Sequence, residues 1–245
     1  MKRPLLCTAL LLAATTFAQQ PAASPSAGAK PSPLPRKESD AVTPAVKNPE
    51  RHAEFLYRIK EGEIGLLFLG DSITDGWPRK GEWSWLKFAP YHPANFGISG
   101  DRTEHVLWRI TNGELDGISP KLVVLMIGTN NIGQTSEKPE WAAAGIKKIV
   151  DTIHEKLPNT KLLLLAVFPR ATKENPMRKA IDDINQIIAK LDDGKTTRYL
   201  DIGKNFLDAN GELPPDIMPD KLHPNAKGYD IWYDAIHAQV DEMMK

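Results

Sequence analysis

The chain has 245 residues with 31 basic and 31 acidic side chains; 41% of its residues are hydrophobic and 25% are charged. Those proportions belong to an ordinary globular protein and exclude a collagen, a coiled coil and a wholly disordered chain. A formal net charge of zero excludes the basic surplus on which non-specific nucleic-acid binding depends, so no nucleic acid is expected as a partner.

Residues 1–18 differ from the rest. Met1-Lys2-Arg3 is a short basic start, residues 5–17 carry no charge, and Thr16 and Ala18 place small side chains just before Gln19-Gln20. This is the pattern of a secretory signal peptide removed after Ala18, and its apolar run is short for a membrane span. The alternative is a retained N-terminal anchor. A secreted or periplasmic protein is expected, with no stable membrane span after processing. Cys7, the only cysteine, falls in the removed segment. The processed chain then has no disulfide, no thiolate metal site and no cysteine nucleophile.

Residues 19–50 carry prolines at 21, 25, 31, 33, 35, 44 and 49 and few large apolar side chains. Such a stretch cannot repay its ordering entropy, so a disordered, semi-extended tether is expected, with the folded domain at 51–245. Within that domain, apolar residues at 53, 55, 56 and 59 predict a helix over 51–60, closed by Gly62. Residues 64–69 are an apolar run ending at Gly70, a buried strand. A weak strand over 93–96 ends at Gly97, and a helix follows over 103–110. The apolar run 122–127 ends at Gly128. A long helix over 141–157 is broken by Pro158-Asn159. Residues 162–167 form a strand stopped by Pro169, 176–191 a helix, 199–202 a brief strand and 226–243 the closing helix. Strand then helix, five times over, predicts an α/β protein with a parallel sheet buried on both faces.

In such a sheet reactive groups gather beyond the carboxyl ends of the strands. Three of those ends are followed by small polar turns: Gly70-Asp71-Ser72, Gly97-Ile98-Ser99-Gly100 and Gly128-Thr129-Asn130. Ser72 is placed to present its hydroxyl to a cleft, although a serine after a strand also serves as a helix N-cap. His223, in the loop before the last helix, is the candidate base. Asp220, three residues upstream, can fix the tautomer of its ring; the plain alternative is a surface histidine beside a turn-capping aspartate. The backbone N–H of Gly100 and the side-chain amide of Asn130 are candidate oxyanion donors, against a simple turn glycine and an asparagine cap.

Gly70-Asp71-Ser72, residues 95–101 (Asn-Phe-Gly-Ile-Ser-Gly-Asp), Gly128-Thr129-Asn130-Asn131 and Asp220-x-x-His223 resemble, in order, the four sequence blocks of the SGNH (GDSL-like) esterases and lipases. Residues 95–110, with His105-Val106-Leu107-Trp108-Arg109, resemble the catalytic α-subunits of platelet-activating-factor acetylhydrolase. The resemblance spans about residues 68–229. It implies a three-layer α/β/α sandwich with a flavodoxin-like parallel five-stranded sheet. It also implies Ser72 as nucleophile, Asp220 and His223 as its acid–base pair, and Ser72, Gly100 and Asn130 as the oxyanion hole. The implied function is hydrolysis of short carboxylic esters, acetyl esters of carbohydrates included, with no cofactor and no metal. A lysophospholipid or other lipid ester is the alternative substrate. A homodimer is a further expectation, because the resembling α-subunits pair.

Other features point elsewhere. Asp71 neighbours Ser72, but adjacent side chains in extended backbone diverge, so it is expected to brace the turns. Trp77, Trp83 and Trp85 either line a cleft or pack. Arg102 either meets an anionic substrate or is ion-paired. Two rival functions follow: a metal-dependent phosphoesterase using Asp71, Asp75 and Asp101, for which the histidine count is too low, and a non-catalytic carbohydrate-binding module built on the tryptophans.

Overall fold

The computed structural model describes residues 35–245. The expected signal peptide, Cys7 and the first part of the expected tether lie outside the described residues. In chain order the elements are α1 (Glu38–Val42), α2 (Pro49–Arg58), β1 (Leu66–Gly70), α3 (Ser72–Asp75), α4 (Trp77–Lys80), α5 (Glu82–Leu86) and β2 (Pro93–Gly97). They continue with α6 (Thr103–Thr111), β3 (Leu122–Met126), α7 (Thr129–Thr135), α8 (Pro139–Lys156), β4 (Lys161–Leu165), α9 (Pro176–Ile188), β5 (Thr197–Leu200) and α10 (Ala226–Met243). Local chemistry sets several starts. Asn48, Asn175 and Asn225 each accept a backbone N–H at the head of α2, α9 and α10, and Pro49, Pro139 and Pro176 occupy first helical positions.

All five strands pair in parallel, in the order β2-β1-β3-β4-β5. The apolar runs β1 and β3 are buried throughout, and β4 is buried from Leu162 on, as inner strands covered on both faces must be. Their side chains alternate with period two. Leu67, Leu69, Val123, Leu125 and Leu164 pack against Phe55 of α2, Ile110 of α6, Ile149 of α8 and Ile184 of α9. Leu66, Phe68, Val124, Met126 and Leu163 pack on the other face against Trp77 of α4 and Tyr229 and Trp232 of α10. Each such side chain, fully buried, stabilises the fold by ~1.5–3 kcal/mol. The result is the three-layer α/β/α sandwich expected from the sequence. β1 feeds outward to β2, whereas β3 feeds the other way to β4, so the crevice of this fold lies beyond the carboxyl ends of β1 and β3.

Three differences from the sequence reading have physical causes. First, the compact unit begins at Arg36, well before residue 51. Ala41 is fully buried, and the Thr103 hydroxyl donates to its carbonyl at 2.9 Å. The Arg36 guanidinium meets the buried carboxylates of Glu104 (2.9 Å) and Glu137 (3.2 Å). This segment docks through ion pairs, one small side chain and backbone groups, so a count of large apolar residues misses it. Second, α3, α4 and α5 fill the crossover from β1 to β2, where Gly76, Pro78 and Gly81 interrupt any long helical period. Third, the last strand is Thr197–Leu200 rather than 199–202. It is an edge strand with half-buried side chains, and Ile202 packs in the core beyond its end.

Candidate active site

Ser72 is the first residue of α3, directly beyond β1. Asp71 caps that helix: its Oδ1 accepts the Ile73 N–H at 2.9 Å, as a residue bracing the turn does. The loop ahead of α10 brings His223 to the same place. The Ser72 hydroxyl lies 2.9 Å from His223 Nε2, and His223 Nδ1 lies 2.6 Å from Asp220 Oδ2. With Nδ1–H donating to Asp220, Nε2 is left as the acceptor for the serine proton. The other Asp220 oxygen accepts the backbone N–H groups of Leu222 (3.1 Å) and His223 (2.7 Å). Partial burial alone would raise the Asp220 carboxyl, but the hydrogen bonds from the His223 ring and these backbone amides outweigh it and hold the carboxyl below its usual range. Lys221, between acid and base, has φ +56° and closes the turn; the Ala171 N–H donates to its carbonyl at 2.9 Å.

The other two turns converge on Asp101. Its backbone carbonyl accepts an Asn130 Nδ2 hydrogen at 2.9 Å, while Gln134 Nε2, one helical turn along α7, donates to Asn130 Oδ1 at 3.1 Å. The amide of Asn130 is thereby fixed in orientation, with one hydrogen engaged and the second left over. Gly100 has φ +74°, a left-handed conformation that suits glycine. Neither the Ser72 nor the Gly100 amide N–H has a protein acceptor among the described residues. Beneath the turns, the buried Arg109 donates from Nε to Asp101 Oδ2 (3.0 Å), pairs with Glu114 and reaches the Gly70 carbonyl (3.4 Å). Tyr229 of α10 donates its phenolic hydrogen to the Ile73 carbonyl at 2.7 Å, tying the helix after His223 to the helix of Ser72.

All five residues singled out in the sequence therefore belong to the turns of one rim. Three of them form a single hydrogen-bonded run, and Asn130 and Gly100 sit on the two turns beside it. A hydroxyl bonded to an imidazole whose far nitrogen is held by a carboxylate can lose its proton as it attacks a carbonyl. A hollow of about 420 Å³ adjoins this run, lined by Lys80, Pro219, Asp220, His223, Pro224 and Asn225. A second hollow of about 430 Å³ lies further along the rim, near Pro169 and Asp201.

The remaining candidates fall elsewhere. Trp77 is buried and stacks on Trp232 at 4.2 Å, Trp85 packs edge-on to Phe68, and Trp83 is 80% exposed, so the three do not share a wall. Arg102 is ion-paired to Glu104 at 2.7 Å. Asp75 is engaged by Arg79 and Asp101 by Arg109. Among the described residues no group of three or more His, Cys, Asp or Glu is placed to hold a metal ion. Gln134 and Tyr229 escaped the sequence reading. The i, i+4 spacing of Asn130 and Gln134 would have signalled the first, had 129–135 been read as a helix.

Asp71 carries a testable electrostatic consequence. Burial pushes its carboxyl up to about 7, against the pull of the Ile73 N–H, while Asp101 pushes it the same way and Arg170 and Lys47 draw it down. The folded protein therefore holds this proton at pH values where the unfolded chain has released it. Between about pH 4 and 7 stability falls as pH rises, and the loss is complete above that window. Asp71→Asn keeps the capping oxygen and removes the titration. Its stability relative to the native protein should rise by a few kcal/mol from pH 4.5 to 8, at ~1.4 kcal/mol per unit. Urea titrations at both pH values check this; parallel curves would contradict it.

An all-parallel five-stranded α/β/α sandwich with a serine, histidine and aspartate at its switch point has the build of an enzyme that hydrolyses esters. Comparison with known proteins agrees. Residues 68–231 match the model of the GDSL-like Lipase/Acylhydrolase family. The rat platelet-activating factor acetylhydrolase IB subunit alpha2 is 36% identical over 196 residues, covering 80% of this chain and 84% of the relative. The human alpha1 subunit is 37% identical over 188 residues, covering 76% and 80%. A GDSL-like lipase from Bacteroides thetaiotaomicron superposes with a TM-score of 0.67 at 20% identity, over 78% of this chain and 97% of that one. An acetylxylan esterase from Geobacillus stearothermophilus gives 0.60 at 19% identity, over 73% and 96%. The chain belongs to the GDSL-like lipase and acylhydrolase family, and it is a carboxylic ester hydrolase.

Proposed function

We propose that this enzyme is a serine esterase that hydrolyses short-chain carboxylic esters, acetyl esters foremost and O-acetylated carbohydrates among them, through an acyl-enzyme. The observation that carries the reading is the continuous hydrogen-bonded run Asp220–His223–Ser72. In this reading His223 Nε2 takes the Ser72 proton as Oγ attacks the ester carbonyl. The negative charge that develops is met by the N–H groups of Ser72 and Gly100 and the amide of Asn130. The C–O bond to the alcohol breaks, and His223 returns the proton to the departing oxygen. Water, deprotonated by the same ring, then attacks the acyl carbon and releases the acid and free Ser72.

Acetyl as the acyl group is supported by the names of the relatives, since acetylhydrolase and acetylxylan esterase share it while their alcohols differ. Export, inferred from residues 1–18, supports a carbohydrate ester. No helix among the described residues is long and apolar enough to cross a membrane. The family's description, lipase as well as acylhydrolase, favours a second reading, a lipid-ester acylhydrolase. A series of p-nitrophenyl esters from acetyl to decanoyl, run beside acetylated xylo-oligosaccharides, separates the two. Turnover is expected to be fastest with acetyl and to fall as the chain lengthens, with acetate released from the oligosaccharide. Rates that climb with chain length, and an inert oligosaccharide, would favour the lipid ester.

A further inference from the structure

The segment ahead of α2 reaches the turn that carries Gly100. Beyond the anchors at Arg36 and Ala41, the Ala45 N–H donates to the Glu104 carbonyl at 3.0 Å. The Ala41 carbonyl lies where a side chain at Gly145 of α8 would come within 2.7 Å of it, so the strap is seated closely. Its end is Lys47. The Lys47 ammonium donates to the Ser99 carbonyl at 2.6 Å and lies 3.5 Å from the Asp101 carboxylate. Those two residues flank Gly100, and a Cβ on Gly100 would stand 2.8 Å from the ammonium.

The Ser99 carbonyl and the Gly100 N–H belong to one peptide unit. That unit is planar and trans, so the two groups point in opposite directions along one plane. A charge-assisted bond to the carbonyl oxygen holds the plane and hence the direction of the N–H. It also draws electron density toward the oxygen, which makes the N–H a stronger donor. We propose that Lys47 is a positioning residue: through the Ser99 carbonyl it aims and polarises the Gly100 N–H toward the oxyanion of the transition state. The proposal rests on the reading of Gly100 as an oxyanion donor. It assigns a part in the reaction to a residue outside 68–231, the stretch that matches the family.

Loss of a whole oxyanion donor costs about 10²–10³ in kcat; loss of its alignment and polarisation should cost about tenfold. Lys47→Met is expected to lower kcat for p-nitrophenyl acetate about tenfold with KM changed less than twofold, and Lys47→Arg, which keeps a cation, should lose less. The decisive variant is Lys47→Cys. Alkylation with 2-bromoethylamine rebuilds an ammonium of lysine length, and native protein treated in parallel accounts for Cys7. Activity should be low before alkylation and recover most of the loss afterwards, with melting temperatures recorded for each form. Native kcat in Lys47→Met, a change confined to KM, or a loss that alkylation does not restore would each overturn the proposal. Ser72→Ala assayed alongside separates the two levels. If it is inactive while Lys47→Met is fully active, this inference alone falls; if it is active, the reading of the site falls and the inference with it.

Discussion

Ser72→Ala should reduce kcat for p-nitrophenyl acetate by about 10⁴-fold or more, the scale seen when the nucleophile of an acyl-transfer site is removed. The hydroxyl makes its hydrogen bond to His223 Nε2. The cap on α3 is supplied by Asp71 instead. The variant should therefore keep its fold, and its melting temperature should stay within about 2 °C of the native value, as for substitutions that touch no core packing. A serine-directed phosphonate should add its mass to the peptide bearing Ser72 in the native enzyme and leave the variant unmodified. Turnover near the native rate in Ser72→Ala would place the nucleophile elsewhere.

The second large effect concerns folding. Arg109 is buried with Asp101 and Glu114, which are themselves buried. Removing one member of such a cluster leaves uncompensated charge in a poorly solvated place, at about 3–5 kcal/mol. Arg109→Met keeps much of the side-chain volume and deletes the cation, so the loss should appear in full. Against a total stability of about 5–15 kcal/mol, the urea midpoint should fall by about a fifth or more. Because Arg109 also reaches the Gly70 carbonyl, the turns of Ser72 and Gly100 should loosen together, and residual activity should drop further than the folded fraction alone accounts for. A midpoint within about 0.3 M of native would show that loss of the cation leaves no uncompensated buried charge.

How much of this was readable in the chain depends on what kind of signal each part leaves. β1, β3 and β4 are continuous apolar runs ended by glycine or proline, and their place in the middle of the sheet follows from that. The three polar turns follow because each stands directly after such a run. The partnership of His223 with Ser72 left only the weak Asp-x-x-His spacing; the four motifs taken together pointed to it. Trp77 was ambiguous, because a tryptophan in a glycine-broken stretch packs or binds with the same letter; here it is the centre of an aromatic stack with Tyr229 and Trp232. The segment 36–48 reads as part of the tether because it holds no apolar side chain larger than valine. Its attachment runs through the buried carboxylates of Glu104 and Glu137, partners that no local pattern announces.

Ser72 and His223 stand 151 residues apart in the chain, and Tyr229, which joins the helix of Ser72 to the helix after His223, lies later still. During synthesis the hydroxyl therefore emerges long before the imidazole. On the proposed reading the growing chain carries no working esterase until α10 has been made and has docked. Hydrolytic power would then arise in one late step, when the imidazole arrives, rather than build up as the sheet forms.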